Sequence, residues 1–191
     1  MDAPAALAEG LPRRRFTVAD VFRMVEVGLI SEDERLEVLD GEIVPMSPKG
    51  SRHEDIKVAI AERWRASAPA DVTIAGETGL RLSERTYLEP DFIVFSRAVR
   101  RQDVKGPDIL LTVEVADSSF DYDLKRKSAI YASFGVSEFW VVDAARREVH
   151  VHLKPGSEGY GGVRKHGASE RLTPVFAPAE LAFSLEDLPE V

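Results

Sequence analysis

Asp91, Glu114 and Lys127 stand where charge is costly. Asp91 opens the apolar run Phe92-Ile93-Val94-Phe95, Glu114 lies inside Ile109-Leu110-Leu111-Thr112-Val113-Glu114-Val115, and Lys127 falls in the apolar stripe of a helix that follows. An isolated buried charge costs several kcal/mol, comparable with the net stability of a domain, so the three are expected to meet one another or a metal. If the strand starting at Asp91 pairs antiparallel with the strand ending at Glu114, both carboxylates share one corner of a sheet. Both runs are almost continuously apolar, which predicts a sheet covered on both faces. Beside such a core two like charges repel strongly, and an oxygen-liganded divalent ion relieves the repulsion.

Helical periodicity places the lysine. In the segment 123–134, Leu124, Tyr131 and Phe134 share a face with Lys127, whereas Lys125 points elsewhere. A lysine on that face snorkels outward or meets a carboxylate. A structural ion pair is the simpler reading for one acid and one lysine; here there are two acids.

The ordered set of motifs resembles the Uma-type family of restriction endonucleases, within the PD-(D/E)XK nuclease superfamily. The set comprises Pro90-Asp91, Val113-Glu114-Val115, Asp123 through Lys127 to Tyr131, Gly135-Val136 and Glu138-Phe139-Trp140-Val141-Val142-Asp143. Upstream it takes in Glu37 within Arg35 to Val44, Met46-Ser47-Pro48 and His53, so it spans roughly residues 16–153. The order is far more specific than any single piece. The resemblance implies an α/β restriction-endonuclease-like fold, a central mixed sheet flanked by helices. It implies Glu37, Asp91, Glu114 and Lys127 as catalytic residues, with Mg²⁺ (or Mn²⁺) held by Asp91, Glu114 and the backbone carbonyl of Val115, and His53 supporting the site from behind. It further implies a DNA substrate and a homodimer. The superfamily's usual lysine position, two residues after the second acid, is Ala116 here. The resemblance implies that Lys127 takes over the role. Glu37 is nominated by the resemblance alone, because on its strand it shares a face with Leu39 and suits an ion pair with a surface arginine equally well.

Composition bounds these implications. A chain of 191 residues, 44% hydrophobic and 30% charged, suits one domain, expected over residues 16–191 after a flexible segment 1–15. Without cysteine there is no disulfide framework or thiolate zinc site, and a reducing, cytoplasmic setting is expected. No apolar run suffices for a signal-peptide core or a membrane span. The formal charge of −8 opposes phosphate binding. Capture of DNA would fall to local basic clusters, of which Arg100 and Arg101, in the loop Arg97–Lys105 joining the two acid-bearing strands, are the candidates; a solvated polar loop is the plainer reading. Two other classes stay open: a non-catalytic interaction protein on a nuclease fold, and an enzyme acting on a small phosphorylated or carboxylated metabolite, for which no binding motif is present.

The remaining elements follow from local signals. Thr17 with Asp20 forms a capping-box pattern ahead of the stripe Val18, Val21, Phe22 and Val25, predicting a helix that ends near Gly28. Asp40-Gly41 between apolar runs predicts a hairpin. A second helix is expected over 51–68, with His53, Ile56, Ile60 and Trp64 on one face, then short strands near 72–75 and 79–82. A further hairpin joins 139–143 to 148–153. There His150 and His152 are expected on a solvated outer face, because two histidines without a third ligand make a poor zinc site. Residues 156–162 read as a glycine-rich turn, and the proline-rich tail from Thr173 as a packed or partner-facing segment.

Overall fold

The capping box predicted at Thr17 forms: the Asp20 amide donates to Thr17 Oγ1 at 3.0 Å and the Thr17 amide to Asp20 Oδ2 at 2.8 Å. It starts α1 (Val18–Glu26), which ends ahead of Gly28. The computed structural model describes residues 14–117 and 119–188, so most of the expected flexible segment 1–15 lies outside the described residues. The chain divides into two compact units, Met1–Met46 with Ser83–Tyr87, and Ser47–Leu82 with Leu88–Val191.

The smaller unit is organised by its hairpin. β1 (Leu36–Leu39) and β2 (Glu42–Pro45) pair antiparallel, and both turn residues, Asp40 and Gly41, take positive φ (49° and 82°), as a tight hairpin with strand-matched twist requires. Val38 also pairs with Tyr87. Val18 and Val21 of α1 bury against Leu36 and Val38, with Phe16, Ile30 and Ile43 around them. All four residues of β1 are buried, Glu37 among them.

In the larger unit α2 (Ser51–Ser67) precedes β3 (Val72–Gly76) and the two-residue β4 (Leu80–Arg81). After the short β5 (Tyr87–Leu88) come β6 (Phe92–Ser96) and β7 (Ile109–Ala116). A helical segment then runs through α3 (Phe120–Tyr122), a π-helical turn (Asp123–Lys127) and α4 (Ser128–Ser133). It leads to β8 (Glu138–Asp143), β9 (Glu148–Gly156) and β10 (Gly159–His166). The six-stranded sheet has the order β10-β9-β8-β7-β6-β3, antiparallel throughout except between β7 and β8, which the helical segment connects.

Both faces of this sheet are covered, as the continuous apolar runs predict. On one face Ile56, Ile60 and Trp64 of α2 pack on Phe92, Val94, Leu111, Val113, Val115, Trp140 and Val142. The tail joins them through Leu181, Phe183, Leu185 and Leu188, and Leu181 accepts a 2.8 Å hydrogen bond from Trp64 Nε1. The expected packed tail is therefore real, although Val175 and Phe176 remain exposed. On the other face Tyr131 packs against Phe139 at 4.9 Å between ring centroids.

Two expectations fail. Residues 156–162 are not merely a turn: from Gly159 the chain forms β10, whose pairing with β9 makes it an edge strand where glycine is tolerated. His152 is not solvated either. It is buried beneath Phe139 and Tyr160, because the helical segment covers the face that strand alternation assigns to solvent, and its Nδ1 lies 3.1 Å from the His150 carbonyl. His150 is half-buried against Phe120.

One close approach fixes the loop before β7. A methyl group on Gly106 would overlap the carbonyl oxygen of Phe134, at the C-terminal end of α4. Gly106→Ala should therefore lower unfolding stability by about 2 kcal/mol, the scale of an overpacked backbone contact. Gly161→Ala, whose nearest contact would be an ordinary 3.5 Å, should cost much less; urea denaturation of both variants measures the contrast.

Candidate active site

The register of the central strands brings the two acids together. Phe92 pairs with Val113, so Asp91, the residue just before β6, and Glu114, the residue after Val113, lie at the same end of the sheet. Asp91 is 2% and Glu114 3% exposed. The Val115 amide donates to Asp91 Oδ2 at 2.8 Å and ties the start of β6 to the end of β7.

Each carboxylate is already matched by a cation. Lys127 Nζ sits 3.1 Å from Glu114 Oε1, and the Tyr131 hydroxyl donates to the same oxygen at 2.8 Å. Lys127 is 4% exposed, as the stripe predicts, whereas the Lys125 side chain is 74% exposed and pairs with Asp121. The π-helical turn puts Asp123, Lys127 and Tyr131 in one buried row; Asp123 lies 3.4 Å from Lys127 and accepts a bond from Ser119 Oγ. Such turns recur at functional sites. The ring of Tyr122 stands 5.8 Å from Lys127 Nζ, a cation–π distance.

Around Asp91 the charges close into a ring. Lys49 Nζ lies 2.7 Å from Asp91 Oδ1 and 2.7 Å from Glu77 Oε1. Lys57 Nζ lies 2.9 Å from Glu77 and 2.6 Å from Glu54. His53 completes the ring, with Nδ1 3.2 Å from Glu54 and Nε2 3.0 Å from Asp91 Oδ2. His53, Glu54 and Lys57 come from the first two turns of α2, Lys49 from the stretch before it, and Glu77 from the residue after β3. Burial alone raises the pKa of Asp91, but the hydrogen bond and charge of His53 and the charge of Lys49 more than reverse this and take it down to about 2. Glu77 also falls to about 2, mainly through its bond from Lys49, against the opposing effect of burial. For Lys49, burial works toward a lower pKa, and Asp91 and Glu77 outweigh it so that the value is raised.

His53 thus stands beside Asp91, and Lys127 beside Glu114. The mutual repulsion expected of the two acids is already offset by lysines. Among the described residues, no three or more His, Cys, Asp or Glu side chains converge as a ready-made cation cage. Glu37 lies buried in β1 of the smaller unit. The loop leaving β6 starts at Ser96, away from the acids; Arg100 pairs with Asp103 at 2.6 Å, and Arg101 donates to Thr78 Oγ1 and the Gly79 carbonyl. Sequence reasoning passed over Lys49, Glu54, Lys57 and Glu77. Lys57 carried the same signal as Lys127, a lysine beside Ile56 and Ile60 on a buried helix face; Lys49 and Glu77 lie outside regular elements and carried none.

The depressed pKa of Asp91 ties stability to pH. Its folded value lies below the ordinary 3.8, so the contribution is complete above about pH 4 and disappears as pH falls through about 2. Asp91→Asn should lose about 2 kcal/mol at neutral pH, and the gap to wild type should narrow progressively below pH 4. Denaturant unfolding across pH 2–7 measures this; a gap independent of pH would contradict it.

Comparison with known proteins agrees with this architecture. A model of the Uma2 family, described as "Putative restriction endonuclease", matches residues 18–186. Among solved structures, one similar chain is a "putative nuclease belonging to DUF820" from Anabaena variabilis, with a TM-score of 0.63 at 16% identity, covering 85% of this chain and 93% of that one. At that identity the likeness establishes the shared fold alone. No curated protein matches the chain. With the family model spanning nearly its whole length, the chain belongs to the Uma2 family.

Proposed function

We propose that the chain is a metal-dependent endonuclease that hydrolyses DNA phosphodiester bonds. The observation carrying this reading is that Asp91 and Glu114 stand at the same end of the β6–β7 ladder, beside its last pair Phe92–Val113, with Lys127 held 3.1 Å from Glu114. The donor set suits a hard divalent ion, since two carboxylates and the Val115 carbonyl offer only oxygen and Asp91 remains ionised down to about pH 2. Mg²⁺ or Mn²⁺ held there would polarise the phosphate and acidify an attacking water. Lys127 would orient that water and offset charge growing on the phosphate oxygens. Tyr131 fixes the Glu114 carboxylate through its 2.8 Å bond, and His53 does the same for Asp91. Arg100 and Arg101 would contribute phosphate contacts, and a cytoplasmic homodimer would present two such sites. No helix among the described residues is long and apolar enough to cross a membrane.

A second reading has an observation of its own. The ring through Lys49 and His53 compensates Asp91 without an ion, as a non-catalytic interaction protein on a nuclease fold would need.

Activity separates the two. Purified protein with Mn²⁺ or Mg²⁺ should nick or cut DNA weakly, with activity falling steeply as salt rises, since the net charge of −8 leaves capture to local basic groups. Lys127→Ala should lower turnover by roughly a hundredfold or more while Lys125→Ala leaves it intact. Arg100→Ala with Arg101→Ala should raise the DNA concentration needed without abolishing the chemistry. Loss of cleavage in Glu114→Ala excludes a contaminating nuclease. Protein that binds metal yet cleaves neither single- nor double-stranded DNA, nor RNA, in either ion at low salt would establish the interaction-protein reading instead.

A further inference from the structure

We propose that Lys49 is a positioning residue that stands in for the divalent ion: its ammonium holds Asp91 in the metal-free protein and withdraws onto Glu77 when the ion binds. The inference rests on the metal-dependent reading above and names the group that the ion must displace.

The geometry of Asp91 carries it. Oδ2 is taken by two donors from the fold, the Val115 amide at 2.8 Å and His53 Nε2 at 3.0 Å. Oδ1 is left for a cation, and Lys49 Nζ occupies it at 2.7 Å. A lysine engaged only with Asp91 would resist displacement, because leaving a buried ammonium unpaired is costly. Lys49 is not so engaged. Its second acceptor, Glu77 Oε1, lies at the same 2.7 Å, so the ammonium can give up Asp91 while keeping a carboxylate partner. Glu77 is better suited than Asp91 to retain it: its side chain is 41% exposed against 3%, so the transfer moves the charge from a buried acid to one that water also solvates. The exchange keeps Asp91 paired at every stage, first with one cation and then with another. It also explains how two buried acids fold together without metal and still present a carboxylate oxygen to it.

Lys57 provides an internal comparison. It touches Glu77 at 2.9 Å and Glu54 at 2.6 Å, on the far side of the ring from the Lys49–Asp91 contact. A general effect of removing a nearby positive charge would appear at Lys57 as well as at Lys49. A stand-in role belongs to Lys49 alone.

The test is calorimetric titration of Mn²⁺ into the full chain, with thermal melts in EDTA and in Mn²⁺. Lys49→Met should bind Mn²⁺ on the order of tenfold more tightly than wild type, because the competing cation is gone, while Lys57→Met changes affinity far less. Its melting temperature should fall in EDTA and return toward the wild-type value in Mn²⁺; a purely structural lysine would give a loss that metal does not restore. Glu77→Gln reads the same exchange from the other side and should weaken Mn²⁺ binding, since Lys49 then has only Asp91; this variant decides the matter if Lys49→Met fails to fold. Equal or weaker Mn²⁺ binding in Lys49→Met, or equal gains in Lys49→Met and Lys57→Met, would overturn the role of Lys49 while leaving the metal site standing. Wild type that takes up no Mn²⁺, and is indistinguishable from Asp91→Ala, would instead overturn the metal-dependent reading on which the role depends.

Discussion

The hydrogen bond from the Val115 amide to Asp91 is the constraint on which the rest of the site depends. It fixes the start of β6 against the end of β7, and thereby holds Asp91 at the end of the sheet where Glu114 lies. Because the bond comes from backbone, it holds whichever cation the other carboxylate oxygen accepts. With Oδ2 committed to that amide and to His53, the remaining chemistry of Asp91 is confined to Oδ1, which Lys49 occupies. A fully satisfied buried polar network of this kind specifies a single arrangement, whereas a partly satisfied one costs more than an apolar core.

Electrostatic compensation here is distributed between two faces. Asp91 is served by Lys49 and His53, from the stretch before α2 and from its first turn, while Glu114 is served by Lys127 and Tyr131 from the helical segment on the other side of the sheet. Each acid thus draws its partners from a different layer. The sheet corner where they meet is within reach of both layers.

Much of this was legible in the chain because its signals are local. The Thr17–Asp20 cap, the Asp40-Gly41 turn and the apolar stripe around Lys127 each depend on residues a few positions apart, and the continuous runs at 92–95 and 109–115 announced a sheet covered on both sides. The failures are tertiary. His152 alternates correctly with Val151, yet strand alternation cannot reveal that a helix covers the second face. The glycines of β10 suggested a turn because an edge strand imposes few demands on its side chains. Lys49 and Glu77 lie outside regular elements and 28 positions apart, so nothing in the chain marked their bond. Lys57 is a different case, since its place on a buried helix face was readable and passed unread.

The π-helical turn at Asp123–Lys127 has a mechanical consequence. In a strand, a lysine's position is locked by the ladder of hydrogen bonds; on this segment it is set by how the helix seats against the sheet, chiefly through Tyr131 on Phe139. The position of the ammonium therefore follows from the α4 contact with β8 and not from strand pairing. The charge thus reaches Glu114 without taking up a strand position, whereas a lysine at the position of Ala116 would be part of β7 itself.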